Sequence, residues 1–296
     1  MEDRTALRKP DWIKVRLPAG NEWKKVDGIL ARHGLHTVCD EARCPNKGEC
    51  WGCGTATFMI LGDRCTRNCR FCAVSTSKTG NPVREDEPEA LARAVAEMGL
   101  EYAVLTSVDR DDLPDKGSGH FAACIRAIRG ANPAIKIEVL IPDYSGGDLA
   151  SVVAAGPDVL AHNIETVKRL QHVRDSRTGY ETSLRTLREA KLSSRLLTKS
   201  SILLGLGETR EELLEAYADL RSAGVDILVM GQYLRPSPSQ MPVHEYIHPD
   251  TFRLYAKDAE LAGFSSVIAS PFARTSYHAL EAWSIEKAAA KEKSNP

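Results

Sequence analysis

The sequence predicts an α/β fold of parallel strands joined by crossover helices, and three observations carry that prediction. Short, near-continuous apolar runs recur from Thr57 onward; helix-start signals fall between them; and 43% hydrophobic with 27% charged residues over 296 positions suffice for a sizeable core. Near-continuous apolar runs are what strands covered on both faces require. In order, the runs are Thr57 to Leu61, Tyr102 to Thr106, Ile135 to Ile141, Val159 to Asn163, Ser201 to Leu204 and Ile227 to Met230, six in all. Between them, Pro88 stands at a plausible first helical position, and Thr209-x-x-Glu212 forms a capping box ahead of Leu213, Tyr217 and Leu220. Six βα units fall short of the eight of a closed barrel, so the pattern fits either a partial barrel or an open doubly wound sheet. Both folds place chemistry at the carboxyl ends of strands, which directs attention to the loops after Leu61, Thr106, Asn163, Gly205 and Gly231. Residues 1–54 lie outside the repeat, as does the tail after Gly263, whose end from Ala288 to Pro296 is polar enough to fray.

Composition narrows the function. A formal net charge of -1 gives no general attraction to polyanions, so neither a nucleic acid nor a membrane surface is an expected partner. No stretch approaches the ~20 apolar residues of a membrane span, and residues 1–20 lack the apolar centre of a signal peptide, which sets the expected location as cytoplasmic. Eight cysteines in such a chain point to metal or redox chemistry, and seven of them fall between Cys39 and Cys72.

Directly after the first strand comes Cys65-Thr66-Arg67-Asn68-Cys69-Arg70-Phe71-Cys72. Three thiolates on one compact loop can ligate three irons of a 4Fe-4S cluster, whose irons favour soft sulfur donors. An iron left without a protein thiolate can bind an exogenous group, and the amino and carboxylate groups of S-adenosylmethionine suit that role. A structural metal loop is the simpler alternative. A sharper rival is a zinc-ribbon spacing, Cys50-x-x-Cys53, then fifteen residues, then Cys69-x-x-Cys72, which leaves four of the eight cysteines unused.

The C-x-x-x-C-x-x-C loop with Phe71 before its third cysteine resembles the hallmark of the radical S-adenosylmethionine superfamily. Upstream, Cys39-x4-Cys44-x5-Cys50 resembles the auxiliary-cluster motif of the lipoyl synthase family, and Arg274-Thr275-Ser276-Tyr277-His278-Ala279 resembles that family's Arg-Ser-Ser-Tyr motif. Further matches are Gly54 through Gly62, Thr106 through Leu113, His162-Asn163-Ile164-Glu165-Thr166 and Gly231-Gln232-Tyr233-Leu234, so the resemblance runs from about Trp12 to Ala279. Two departures stand out: Thr275 replaces the usual first serine, and Cys53 lies outside the ligand pattern.

The resemblance implies a partial (βα)6 TIM-type barrel at 55–265, an extension at 1–54 carrying the auxiliary cysteines, and a closing segment at 266–296 with a serine ligand. It implies two 4Fe-4S clusters. Cys65, Cys69 and Cys72 would hold the one that reductively cleaves S-adenosylmethionine; Cys39, Cys44, Cys50 and Ser276 would hold the other, consumed as it supplies sulfur. Phe71, Thr106, Ser107, Asn163 and Glu165 match the cosubstrate contacts, with Arg174 a further candidate for the methionine carboxylate.

The implied reaction inserts two sulfur atoms, at carbons 6 and 8 of an octanoyl chain, on the lysine of a lipoyl carrier protein. The carrier would be the lipoyl domain of 2-oxoacid dehydrogenase E2 or the glycine cleavage H protein, and a low-potential electron donor is required. Relatives that insert sulfur into biotin-type substrates or methylthiolate lack the paired Cys39/Cys44/Cys50 and Ser276 signature, and a ferredoxin-like protein would want a fourth clustered cysteine per site. Cys124, on the helical stripe Phe121-x-x-Cys124-Ile125-x-x-Ile128, reads as core. Asp109-Arg110-Asp111-Asp112 reads mostly as a solvated loop, and Gly205-Leu206-Gly207 as a cavity wall.

Overall fold

The computed structural model describes residues 7–15, 21–194, 196–277 and 279; His278 and the polar end from Ala288 lie outside these. Helix α1 (Asn21–His33) buries Val26, Ile29 and Leu30 along one face. Strand β1 (His36–Thr37) leads into α2 (Val38–Glu41), where Thr37 caps by accepting the Asp40 amide, and α3 (Lys47–Gly52) follows with Trp51 buried. These short elements form a pad that carries Cys39, Cys44 and Cys50.

The repeat begins with β2 (Thr57–Ile60). Two two-residue strands, β3 (Arg64–Cys65) and β4 (Ser75–Thr76), pair in parallel and close the neck of the loop holding Cys69 and Cys72. Then follow α4 (Glu87–Met98), β5 (Tyr102–Ser107), α5 (Ser118–Ala131), β6 (Lys136–Leu140), α6 (Gly146–Ala154), β7 (Val159–Ala161), a 3-10 turn (Lys168–Val173), α7 (Tyr180–Ser193), β8 (Leu197–Leu204), α8 (Arg210–Ser222), β9 (Ile227–Gln232), α9 (Pro249–Leu261) and β10 (Ser266–Ser270). Pro88 sits in the first turn of α4, and the Thr209/Glu212 capping box at α8 is formed in both directions.

One sheet runs β1-β2-β5-β6-β7-β8-β9-β10, parallel throughout except for the β1–β2 pair. The helices lie on the face where Ala103, Leu105, Ile137, Val139 and Leu160 pack with Leu91, Phe121, Cys124 and Ile125 into one core cluster. Cys124 is fully buried there, as expected. The opposite face curls around residues 272–277 and Ala279. Within a few residues this segment lies against Gly231 of β9, accepts or donates at Asn163 past β7 and Thr57 of β2, and packs Ala279 on Tyr102 and Val104 of β5. A flat sheet cannot bring strands so far apart in order onto one short segment, so the sheet is a partial barrel with that segment inside.

Three expectations need correction. The tail after Gly263 is not wholly outside the repeat: Ser266–Ser270 pairs in parallel with β9 and is a seventh parallel strand. Strand β8 begins at Leu197, four residues before the predicted start, because Thr198, Lys199 and Ser200 are polar yet fully buried. Lys199 is neutralised by Glu138 at 2.9 Å inside the barrel, and Tyr102 donates to the same carboxylate at 2.7 Å. The run Asp109 to Asp112 is only partly solvated: Asp112 is exposed, but Arg110 is 3% exposed and Asp109 and Asp111 brace the cysteine loop.

Candidate active site

The loop of Cys65, Cys69 and Cys72 leaves the carboxyl end of β2 through a backbone reversal at Leu61, whose φ of 68° is unusual for a branched residue. Two side chains hold that reversal: Glu87 accepts the Leu61 amide at 3.0 Å, and Arg110 donates to the Leu61 carbonyl at 3.3 Å. Beyond it, Thr66 Oγ1 bonds both the Asp109 carbonyl and Asp111, each at 3.0 Å, while Arg67 forks onto Asp111 and also pairs with Asp143. The loop is therefore positioned by charged groups from the ends of β5 and β6, not by its own turn propensity.

The three thiols line a cavity of about 170 Å³ together with Phe71, Thr106, Ser107, Asn163, Glu165 and Arg174, so every sequence-predicted cosubstrate residue is gathered in one wall. Arg67, Asp109, Asp143, His162 and Thr178 belong to the same wall but were missed as site residues. Their signal was available only in part: Asp143 and His162 are the first strongly polar residues after β6 and β7. Gly205 and Gly207 are not in this wall; Gly205 packs beneath Gln232 and Glu245 instead.

The chemistry of this wall suits a zwitterionic cosubstrate bound at an iron corner. Burial pushes the Cys65 and Cys69 thiols up to about 12, with Asp109 adding to the effect at Cys65, and raises Cys72 as well. Such thiols stay protonated at neutral pH unless a metal displaces the proton, which is how an iron site is loaded. Ser107 Oγ and Arg174 Nε are buried and without a protein hydrogen-bond partner, while the other nitrogens of Arg174 bind Ser183, Gln171 and Thr178. A donor and a hydroxyl so placed fit a ligand carrying a carboxylate and hydroxyls.

The second cysteine group lies at the amino end of β2. Cys39 is pushed up to about 11, by burial first and by Cys44 second; Cys50 reaches about 12 through burial, Cys39 and Cys44. Each of these thiols is close enough for its charged form to disfavour ionisation of a neighbour, so the three share one neighbourhood. The Thr57 hydroxyl donates to Ser276 Oγ at 2.8 Å and the Thr57 backbone lies beside Cys39, so one residue stands between the cysteine pad and the C-terminal segment.

Three further contacts stitch the same junction. Asn46 donates to the Phe272 carbonyl at 2.7 Å, Tyr277 to Glu49 at 2.9 Å, and the buried Arg274 guanidinium favours the charged form of Cys44. Three thiols, one serine hydroxyl and an adjacent arginine suit an anionic iron-sulfur cluster with one oxygen corner. Cys50 and Ser276 open onto a cavity of about 490 Å³, with Cys53 exposed at its edge. The two cysteine groups thus sit at opposite ends of the barrel. Four residues of β2 separate Thr57 from Leu61, which at ~3.3 Å per residue and a strand tilt of ~36° places the sites on the order of 10 Å apart along the axis.

Comparison with known proteins identifies relatives along the chain. The model of the radical SAM superfamily matches residues 59–220, and that of the N-terminal domain of lipoyl synthase matches residues 1–44. A lipoyl synthase of Thermus thermophilus is 53% identical over 92% of this chain and 85% of its own length; one from Methanocella arvoryzae is 52% identical over 92% and 94%. Among solved structures, methylornithine synthase shares the fold at TM-score 0.55 with 15% identity, covering 71% of this chain and 70% of that one. Matched along nearly its whole length, the chain belongs to the lipoyl synthase family of radical S-adenosylmethionine enzymes.

Proposed function

We propose that the two ends of the barrel divide the family's reaction between them, and that the octanoyl chain of a lipoyl carrier protein reaches the space between. As a lipoyl synthase the chain inserts sulfur at carbons 6 and 8 of that octanoyl group, using two 4Fe-4S clusters and S-adenosylmethionine. In this reading Cys65, Cys69 and Cys72 hold the first cluster, and Cys39, Cys44, Cys50 and Ser276 hold the second. When bound, the first cluster supplies the electron that splits the cosubstrate into methionine and a carbon radical, and the second supplies sulfur.

The chain's own residues position and exclude. Asn163 and Glu165 orient the cosubstrate at the end of β7, with Thr106 and Ser107 beside them. Thr106 already donates to the Leu140 carbonyl at 2.9 Å, which leaves its oxygen to accept and makes Ser107 the freer donor. Arg174 Nε and the ring of Phe71 complete the wall. The apolar strands, residues 272–277 and Ala279 keep water from the reacting carbons, which an unquenched radical requires.

The observation that supports this division most is the bond from Thr57 to Ser276, which joins the serine to the Cys39 side of the barrel and away from Cys65. We further assign the extension at 1–54, the core at 55–265 and the closing segment at 266–296 as the functional units. The carrier is the lipoyl domain of 2-oxoacid dehydrogenase E2 or the glycine cleavage H protein, the reductant a low-potential donor, the location cytoplasmic. No helix among the described residues is long and apolar enough to cross a membrane.

The test is to separate the sites by mutation. Cys69→Ala should abolish 5′-deoxyadenosine formation, whereas Cys44→Ala should keep some of it and lose sulfur insertion. Normal lipoyl product from Cys44→Ala would overturn the assignment.

A further inference from the structure

The residue by which this chain departs from the family's C-terminal motif, Thr275, occupies a position between the two sites. Its hydroxyl donates to Asn163 Oδ1 at 3.1 Å, and the residue is 8% exposed. The Asn163 side chain lies beside the Glu165 carboxyl group. Thr275 is the donor and the Asn163 amide oxygen the acceptor, which leaves the Asn163 NH2 to other partners. Glu165 itself has φ 64° and lines the wall that holds Cys69 and Cys72. On the other side, the next residue is Ser276, bonded to Thr57.

We propose that Thr275 is a positioning residue that couples the two ends of the site: its hydroxyl fixes the amide of Asn163, so that cosubstrate binding and the seating of Ser276 stabilise one another. This rests on the reading of Asn163 as a cosubstrate contact. The linkage is short: Ser276 and Thr275 are covalent neighbours, and Thr275 hydrogen-bonds Asn163, which lines the same wall as Glu165. Among the described residues, 271–277 make few backbone bonds, from Gln232 to the Pro271 carbonyl at 3.2 Å, from Ala273 to the Ser270 carbonyl at 3.1 Å and from Tyr277 to the Arg274 carbonyl at 3.0 Å, so side chains supply much of the anchoring. A cosubstrate that immobilises Asn163 therefore favours the turn in its seated form, and by reciprocity a seated turn favours the cosubstrate.

The experiment is hydrogen-deuterium exchange on anaerobic, cluster-loaded protein with and without S-adenosylmethionine, paired with cosubstrate Kd by equilibrium binding. In the unaltered protein, cosubstrate should slow exchange both around Asn163 and in residues 271–277. Thr275→Val and Thr275→Ala should keep both clusters by iron analysis, lose the added protection in 271–277, and raise the Kd roughly fivefold, as expected for one hydrogen bond of ~1 kcal/mol. Thr275→Ser, which restores the hydroxyl, should recover both. Unchanged protection and Kd in both Thr275→Val and Thr275→Ala overturn the coupling. Asn163→Ala distinguishes the underlying reading: if its Kd is also unchanged, the cosubstrate assignment fails with the coupling, and if its Kd rises while the Thr275 variants are silent, only the coupling fails.

Discussion

Replacing Gly231 by alanine should detach one end of the active site and leave the other working. A Cβ at Gly231 would lie 2.0 Å from the Ala273 carbonyl oxygen and 2.8 Å from Arg274 Nη1, whereas ordinary contact begins near 3.4 Å, so the strand and the segment must part by about 1.4 Å. Strand β9 cannot yield, because it is hydrogen-bonded to β8 on one side and β10 on the other. The segment gives way instead, since it is held largely by side-chain bonds from Asn46, Thr57 and Asn163. Overpacking of this kind costs about 1–3 kcal/mol. Metal-ligand distances tolerate only ~0.2 Å, so a shift of this size three residues from Ser276 removes it as a ligand. Gly231→Ala should therefore fold, form 5′-deoxyadenosine, and make little or no thio-octanoyl product in anaerobic single-turnover mass spectrometry. A variant with normal thio-octanoyl yield would refute the claim that this close approach seats Ser276.

Further outcomes follow from the same structure. Ser276→Cys exchanges a hard oxygen donor for a thiolate that iron-sulfur iron holds more firmly; iron and sulfide analysis should show two clusters and 5′-deoxyadenosine should still form, with little 6-thio-octanoyl intermediate. Lys199→Met strands a Glu138 carboxylate that is 1% exposed, and loss of one partner of a buried pair costs about 3–5 kcal/mol; thermal unfolding should fall by about 10 °C and recover largely in Glu138→Leu/Lys199→Met. In metal-free protein, Cys39 and Cys50 are raised from 9.0 to about 11 and about 12, so folding favours their protonated forms. Their contribution is complete below pH 9 and lost as pH rises through 11 to 12, which denaturant titrations should show and Cys39→Ala/Cys50→Ala should blunt. Iron loading displaces those protons and should instead quicken between pH 7 and 8.5.

What could be read from the sequence was what is local in it. The cysteine spacings and the apolar strands of the barrel are contiguous motifs, and six strands were placed from them. The start of β8 was hidden because Thr198 and Lys199 are made tolerable by Asp226 and Glu138, partners 28 and 61 residues away. The seventh parallel strand, Ser-Val-Ile-Ala-Ser at 266–270, is short and framed by serines, so it lacks the apolar strength of its neighbours. Asp109 and Asp111 look solvated until Arg67 and Thr66 arrive from the cysteine loop. The bonds that assemble the second site, Thr57 to Ser276 and Asn163 to Thr275, span 219 and 112 residues and follow from how the barrel curls, which no local pattern encodes.

The most direct test of two sites acting in one reaction is to follow the sulfur itself. Protein whose clusters are rebuilt with ³⁴S-sulfide should be incubated anaerobically with an octanoyl-lysine peptide, S-adenosylmethionine and a reductant, in the absence of free sulfide, and the peptide weighed by mass spectrometry. The account predicts a product carrying ³⁴S at carbons 6 and 8, and predicts that Cys44→Ala forms 5′-deoxyadenosine without it. Product lacking the label, or labelled product from Cys44→Ala at the normal yield, would contradict it.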